Sequence, residues 1–88
     1  MTMPEISRFF GIVVAMFYND HAPPHFHARY GDDEVVMTIA DFDVQGGRLS
    51  RRAMGLLIEW AIDHRDELQA NWVHARNGEP MKPIAPLE

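Results

Sequence analysis

The sequence predicts an α+β fold: a three- to four-stranded antiparallel meander packed against a long, kinked or broken C-terminal helix. Two observations carry this. Upstream of Gly46-Gly47 the apolar residues are β-branched or aromatic and the segments between them are turn-forming; downstream, apolar residues recur at three- and four-residue steps. With 88 residues the chain is long enough for one domain only. We divide it into a sheet region over 9–49, a helical region over 50–77 and an extended tail over 78–88.

The stretch 11–18, "GIVVAMFY", is bounded by Gly11 and by the turn-forming Asn19-Asp20, and is apolar on both faces. It reads as a central strand. Residues 25–30, "HFHARY", alternate, so His25, His27 and Arg29 share one face of a strand and Phe26, Ala28 and Tyr30 the other. "GDD" (31–33) is a turn and "EVVMTIA" (34–40) a further strand. "FDV" (42–44) continues or restarts it before the hairpin-like "QGGRL".

Ser50 is a good N-cap, and no proline interrupts the chain from there to Arg76; Asn77-Gly78 and Pro80 supply the stop. Ala53, Leu57, Trp60, Ala61, His64, Leu68 and Trp72 form the apolar stripe. One straight helix of this length would run about 40 Å, at 1.5 Å per residue. A domain of this size is only about 30 Å across. A break is therefore expected at 63–66, with Asp66 capping a second helix from Glu67. The tail has three prolines and is expected to lie extended, pinned by Ile84 and Leu87.

Hydrophobic residues make up 47% and charged residues 24%, which is ordinary globular usage. There is no cysteine, so disulfides and thiolate metal sites are excluded. The net charge of −5 argues against nucleic-acid binding, which normally needs a basic face. The opening "MTMPEISRFFG" has no long apolar run, and no stretch has the length of a membrane span. The expected compartment is the cytoplasm.

Chemistry concentrates in "NDHAPPHFHARYG" (19–31), with three histidines split by Pro-Pro. Pro24 keeps Pro23 out of the helical region, so His21 and His25 are not one turn of helix apart. What remains is H-x-H on a strand, which puts His25 and His27 on one face, able to share a metal with His21 or Asp20. Zinc and other imidazole-binding divalent metals suit such a set. A histidine cluster also suits acid–base catalysis, with His21, His25, His27 and Arg29 as candidates and Arg29 placed to hold a phosphate. The third reading is a polar turn feeding a solvated strand, with a row of imidazoles exposed along it. His64 on the apolar stripe is expected to be a hydrogen-bonded histidine rather than a ligand.

The chain resembles a small bacterial family, domain of unknown function 4160. The resemblance rests on "MPEISRFFGIVVAMFYNDHAPPHFHARYGD" (3–32), "GGRLSRRA" (46–53) and "EWAIDHRDELQANWVHARNGEPMKPIAPL" (59–87). The family pattern falls on Asn19, Asp20, His21, Pro23, Pro24, His25, Phe26, His27, Tyr30 and Gly31. In the helical region it falls on Arg52, Ala53, Trp60, His64, Arg65, Leu68, Asn71 and Trp72. The resemblance implies a small prokaryotic cytosolic protein with no established activity, whose gene neighbours that of another small protein in a toxin–antitoxin-like pair. With the acidic charge and the tryptophan-rich helix, it leads to the expectation of a protein-interaction or regulatory module with a small protein partner, or a homodimer. The alternative is a histidine-based metal-binding protein or small nuclease.

Overall fold

In the computed structural model, described here for residues 4–88, five strands precede two helices: β1 (Glu5–Phe9), β2 (Ile12–Ala15), β3 (His25–Tyr30), β4 (Asp33–Thr38), β5 (Val44–Gly47), α1 (Arg51–Asp63) and α2 (Arg65–Arg76). The strands form one sheet in sequence order, each antiparallel to the next. No described helix is long and apolar enough to cross a membrane. The α+β class and the meander hold; the count is five strands rather than three or four, and the helical region is two helices rather than one.

Both additional strands lie at the edges. β1 joins β2 through a two-residue turn in which Phe10 and Gly11 both have positive φ, 49° and 82°. That is the mirror-image turn whose twist suits a tight hairpin, although Phe seldom occupies such a position. Ile6 is skipped where the β1–β2 register shifts, which hides the alternation of the strand. β5 contains the Gly-Gly pair that read as a turn. Val35 faces Gly47 and Val36 faces Gly46, while Met37 faces Val44, leaving Gln45 as the extra residue of a bulge.

One face of the sheet meets the helices. Ile12, Val14, Phe26, Ala28, Val35 and Met37 pack there against Leu57, Trp60, Ala61 and Leu68, all buried. Phe9 lies against Trp60, ring centroids 5.2 Å apart. The expected stripe is thus covered by the chain itself. Trp60 and Trp72, whose apolar surface suggested a dimer, are both buried.

Ser50 caps α1, its hydroxyl accepting from the Ala53 amide at 3.2 Å. The break falls at His64, whose φ of −127° leaves the helix, and α2 begins at Arg65 rather than Glu67. Asp66 does not cap the helix. It sits with Glu67 in the first turn of α2, where carboxylates complement the helix dipole. Glu67 instead holds the break, its carboxylate accepting from His64 Nδ1 at 2.6 Å. The molecule measures 34 × 27 × 26 Å, too short for the unbroken helix.

The tail lies extended along the body, as its prolines require. Ile84 is buried and its amide donates to the Ile6 carbonyl at 2.8 Å. Trp60 Nε1 donates to the Ala85 carbonyl, 2.8 Å. Buried Asn71 makes both of its amide bonds to one residue, donating to the Lys82 carbonyl and accepting from the Lys82 amide, each at 2.8 Å.

Two predictions follow from these contacts. Gly47 has φ +70°, and a Cβ there would collide with the Glu34 carbonyl, whereas a Cβ at Gly46 meets nothing within 4 Å. Urea unfolding should show Gly47→Ala losing about 2 kcal/mol or more, and Gly46→Ala staying within about 0.5 kcal/mol of wild type. Asn71→Ala strands two backbone groups of Lys82 and should cost about 2 kcal/mol. Amide exchange should then speed up at Lys82 and Ile84 while the β3 amides keep their protection.

Candidate functional site

His25 and His27 stand two apart on β3 and project from the face opposite the helices. On β4 and β5, the cross-strand neighbours Val36 and Gly46 continue that face outward from His27. Asp20 arrives from the connection between β2 and β3. That connection is tied to the end of α2: the Asn19 amide donates to the Ala75 carbonyl at 3.2 Å, and Arg76 Nη1 donates to the Asp20 carbonyl at 3.2 Å. Asn19 has φ +53°, a conformation that asparagine tolerates better than most residues.

The expected row of exposed imidazoles is not what forms. Side-chain exposure is 5% for His25 and 14% for His27; only His21, at 85%, lies in solvent. Trp72 covers His25, ring centroids 5.1 Å apart, and Phe17 meets His27 edge-on at 4.7 Å. The alternation of β3 is right, but the chain before β3 and the end of α2 fold over that end of the sheet.

Each buried ring is oriented through Nδ1. His25 Nδ1 lies 2.7 Å from the Pro23 carbonyl, and His27 Nδ1 lies 3.0 Å from Glu34 Oε2. A carbonyl and a carboxylate can only accept, so both Nδ1 atoms carry the proton. Both Nε2 atoms therefore face the pocket. His25 Nε2 is 2.9 Å from Asp20 Oδ2; His27 Nε2 is 3.7 Å from the same oxygen and is buried without a hydrogen-bond partner. One donor atom from each of Asp20, His25 and His27 lies within 4.8 Å of the other two.

Asp20 Oδ1 accepts from the His21 amide at 2.8 Å, and the exposed His21 ring lies beside it, Nδ1 at 2.9 Å. Burial pushes the Asp20 carboxyl up. The His21 amide and the His25 ring pull it down further, so its pKa lies below the ordinary aspartate value. Beside these groups is an open pocket of about 330 Å³, walled by His21, Pro23, Val36, Gln45 and Gly46.

Of the sequence candidates, the structure brings Asp20, His25 and His27 together. His21 stands at the rim, bound to Asp20 rather than converging with the other rings. Arg29 points to the same face but lies toward solvent, 3.6 Å from Glu34. His64 pairs with Glu67, as expected of a hydrogen-bonded histidine. Sequence reasoning missed Glu34 and the Pro23 carbonyl, which fix the tautomers, and Trp72. The tight turn at 31–32 was the available signal for Glu34, because it brings the start of β4 back beside His27.

A small α+β protein with two histidines and one carboxylate converging beside a pocket is thus defined. The chain belongs to the family described as Domain of unknown function (DUF4160), which it matches over residues 11–79. That span contains the whole cluster. Comparisons with curated proteins and with solved structures give no match.

Because the Asp20 pKa is lowered on folding, its contribution to stability is present above the ordinary aspartate range. It is lost as the pH falls through the lowered value. Urea midpoints measured between about pH 6 and pH 2 should fall with acidification in the wild type. In Asp20→Asn that part of the slope should be absent.

Proposed function

We propose that this protein binds one divalent transition metal, of the zinc type, through Asp20 Oδ2, His25 Nε2 and His27 Nε2. The observation that carries this reading is the pair of Nε2 atoms. Each ring has its Nδ1 proton committed to an acceptor, so Nε2 is the nitrogen left to coordinate a metal. Both Nε2 atoms point at one oxygen of Asp20, and a metal shared by the three would replace the His25–Asp20 hydrogen bond and give His27 Nε2 a partner. A second proton on His25 would satisfy that ring alone and leave His27 Nε2 buried and unpaired.

The distances suit the reading. Metal–nitrogen bonds of about 2.0–2.1 Å in a tetrahedral shell put neighbouring donor atoms about 3.3–3.5 Å apart. The two contacts to Asp20 Oδ2, 2.9 and 3.7 Å, bracket that spacing. Nδ1–H donated to a carbonyl or a carboxylate is the usual outer support of a metal-bound histidine. Metal loading falls on acidification, because the imidazoles must be neutral to coordinate.

The test is calorimetry and elemental analysis of the untagged protein with Zn²⁺, Ni²⁺ and Co²⁺. One equivalent should bind, and free metal at about 100 times its Kd should stabilise the fold by about 2.7 kcal/mol. For a domain of this size that is a rise in Tm of roughly 10 °C or more. His27→Ala should abolish both effects, and His64→Ala should abolish neither. Absence of stoichiometric metal and of any shift with all three ions would overturn the reading.

A further inference from the structure

We infer that the metal centre holds a small oxyanion, of the size and charge of phosphate or a phosphate monoester head group, in its open coordination position. This rests on the metal-binding reading above and concerns what the bound metal would face.

Three protein donors leave a zinc-type ion at least one position for an outside ligand. Here the donors come from the β3 side and from the preceding connection, so the open position looks into the pocket. Its volume of about 330 Å³ is at the lower end of the range for small-molecule sites, roughly 300–1,000 Å³. Two features of β5 create the space. Gly46 stands next to Val36 on the face that carries His27 and puts no side chain there; a Cβ would meet nothing within 4 Å. Gln45 is the extra residue of the bulge and lines the same pocket.

The local charges select an anion. A dication on Asp20 leaves one net positive charge. Glu34, which supports His27, lies 3.6 Å from the compensating Arg29. Arg76 adds a positive charge at the Asp20 backbone. His21, its side chain 85% exposed and its Nδ1 2.9 Å from Asp20 Oδ1, puts an imidazole at the rim of the pocket. An oxyanion thus meets the metal, with the exposed His21 imidazole at the rim, and a bulky one meets the β5 wall.

Cobalt makes the site visible. Co²⁺-loaded protein is titrated with inorganic phosphate, following the visible d–d bands, for wild type, Gly46→Leu, Gly46→Ala and His21→Ala. The wild-type bands should shift and saturate at millimolar phosphate. Gly46→Leu should bind Co²⁺ at the same stoichiometry and show the same starting spectrum, with phosphate affinity reduced by about tenfold or more. Gly46→Ala should lie between the two. His21→Ala, compared at equal Co²⁺ saturation, should weaken phosphate severalfold. Co²⁺ that binds with bands indifferent to phosphate overturns the oxyanion proposal and leaves the metal reading standing, as does a Gly46→Leu response equal to wild type. Failure of Co²⁺ to bind at all overturns both.

Discussion

The seating of the last turn of α2 on the chain between β2 and β3 is the constraint on which the rest depends. That connection has no regular structure, and its position is set from outside. The Ala75 carbonyl takes the Asn19 amide, Arg76 takes the Asp20 carbonyl, and Trp72 closes over His25. The Ala75 carbonyl lies in the final turn, where helix carbonyls lack partners within the helix, so the contact satisfies both elements. It also fixes the carboxylate relative to β3. The break at His64 is what allows this. A straight continuation of α1 would run past the body of the domain, whereas α2 as a separate segment can lie back along the sheet and end beside Asp20.

The site works against the stability of the fold. Two imidazoles and a carboxylate are brought largely out of water, and the polar atom left without a partner is one that a core would ordinarily exclude. The surroundings are nonetheless built with care. Each ring has an Nδ1 acceptor, Asp20 Oδ1 has the His21 amide as donor, and both rings have an aromatic neighbour. Supporting bonds that orient donor atoms without satisfying them are characteristic of a site that expects an additional group. An oversight in packing would leave the support missing as well.

Much of the architecture was legible because local rules and the global fold agree. Ser50, the alternation of β3, the Asn77-Gly78 stop and the proline-rich tail each behave as their chemistry dictates. The misreadings come from places where a local rule is broken. β1 is concealed by the skipped Ile6 and by a turn that uses Phe10 at positive φ. β5 is concealed because its glycines serve a bulge and a close backbone approach rather than a reversal. The break falls within the expected 63–66, but α2 starts at Arg65, two residues before the expected Glu67, because His64 and Glu67 hold the break and Asp66 does not cap. At the site, the shared face of His25 and His27 was readable from a period of two. Their burial was not, because Trp72 lies more than forty residues away along the chain and nothing local announces it.

The bland alternative to a ligand site is a pair of histidines that simply hydrogen-bond their neighbours. It accounts for half of each ring. The Pro23 carbonyl and the Glu34 carboxylate explain why both Nδ1 atoms sit where they do, and a structural role would need no more than that. It does not explain why His27 Nε2 is buried 3.7 Å from the carboxylate oxygen that His25 already bonds, with no hydrogen-bond partner of its own. Nor does it explain a bulge and a bare glycine that keep the space beside them open. A structural histidine pair gains by being covered completely or solvated fully. This pair is held between the two, with both Nε2 atoms turned toward Asp20 Oδ2 and its outer side facing a cavity. The proposed cation, shared by both Nε2 atoms and Asp20, would make all of those features favourable together.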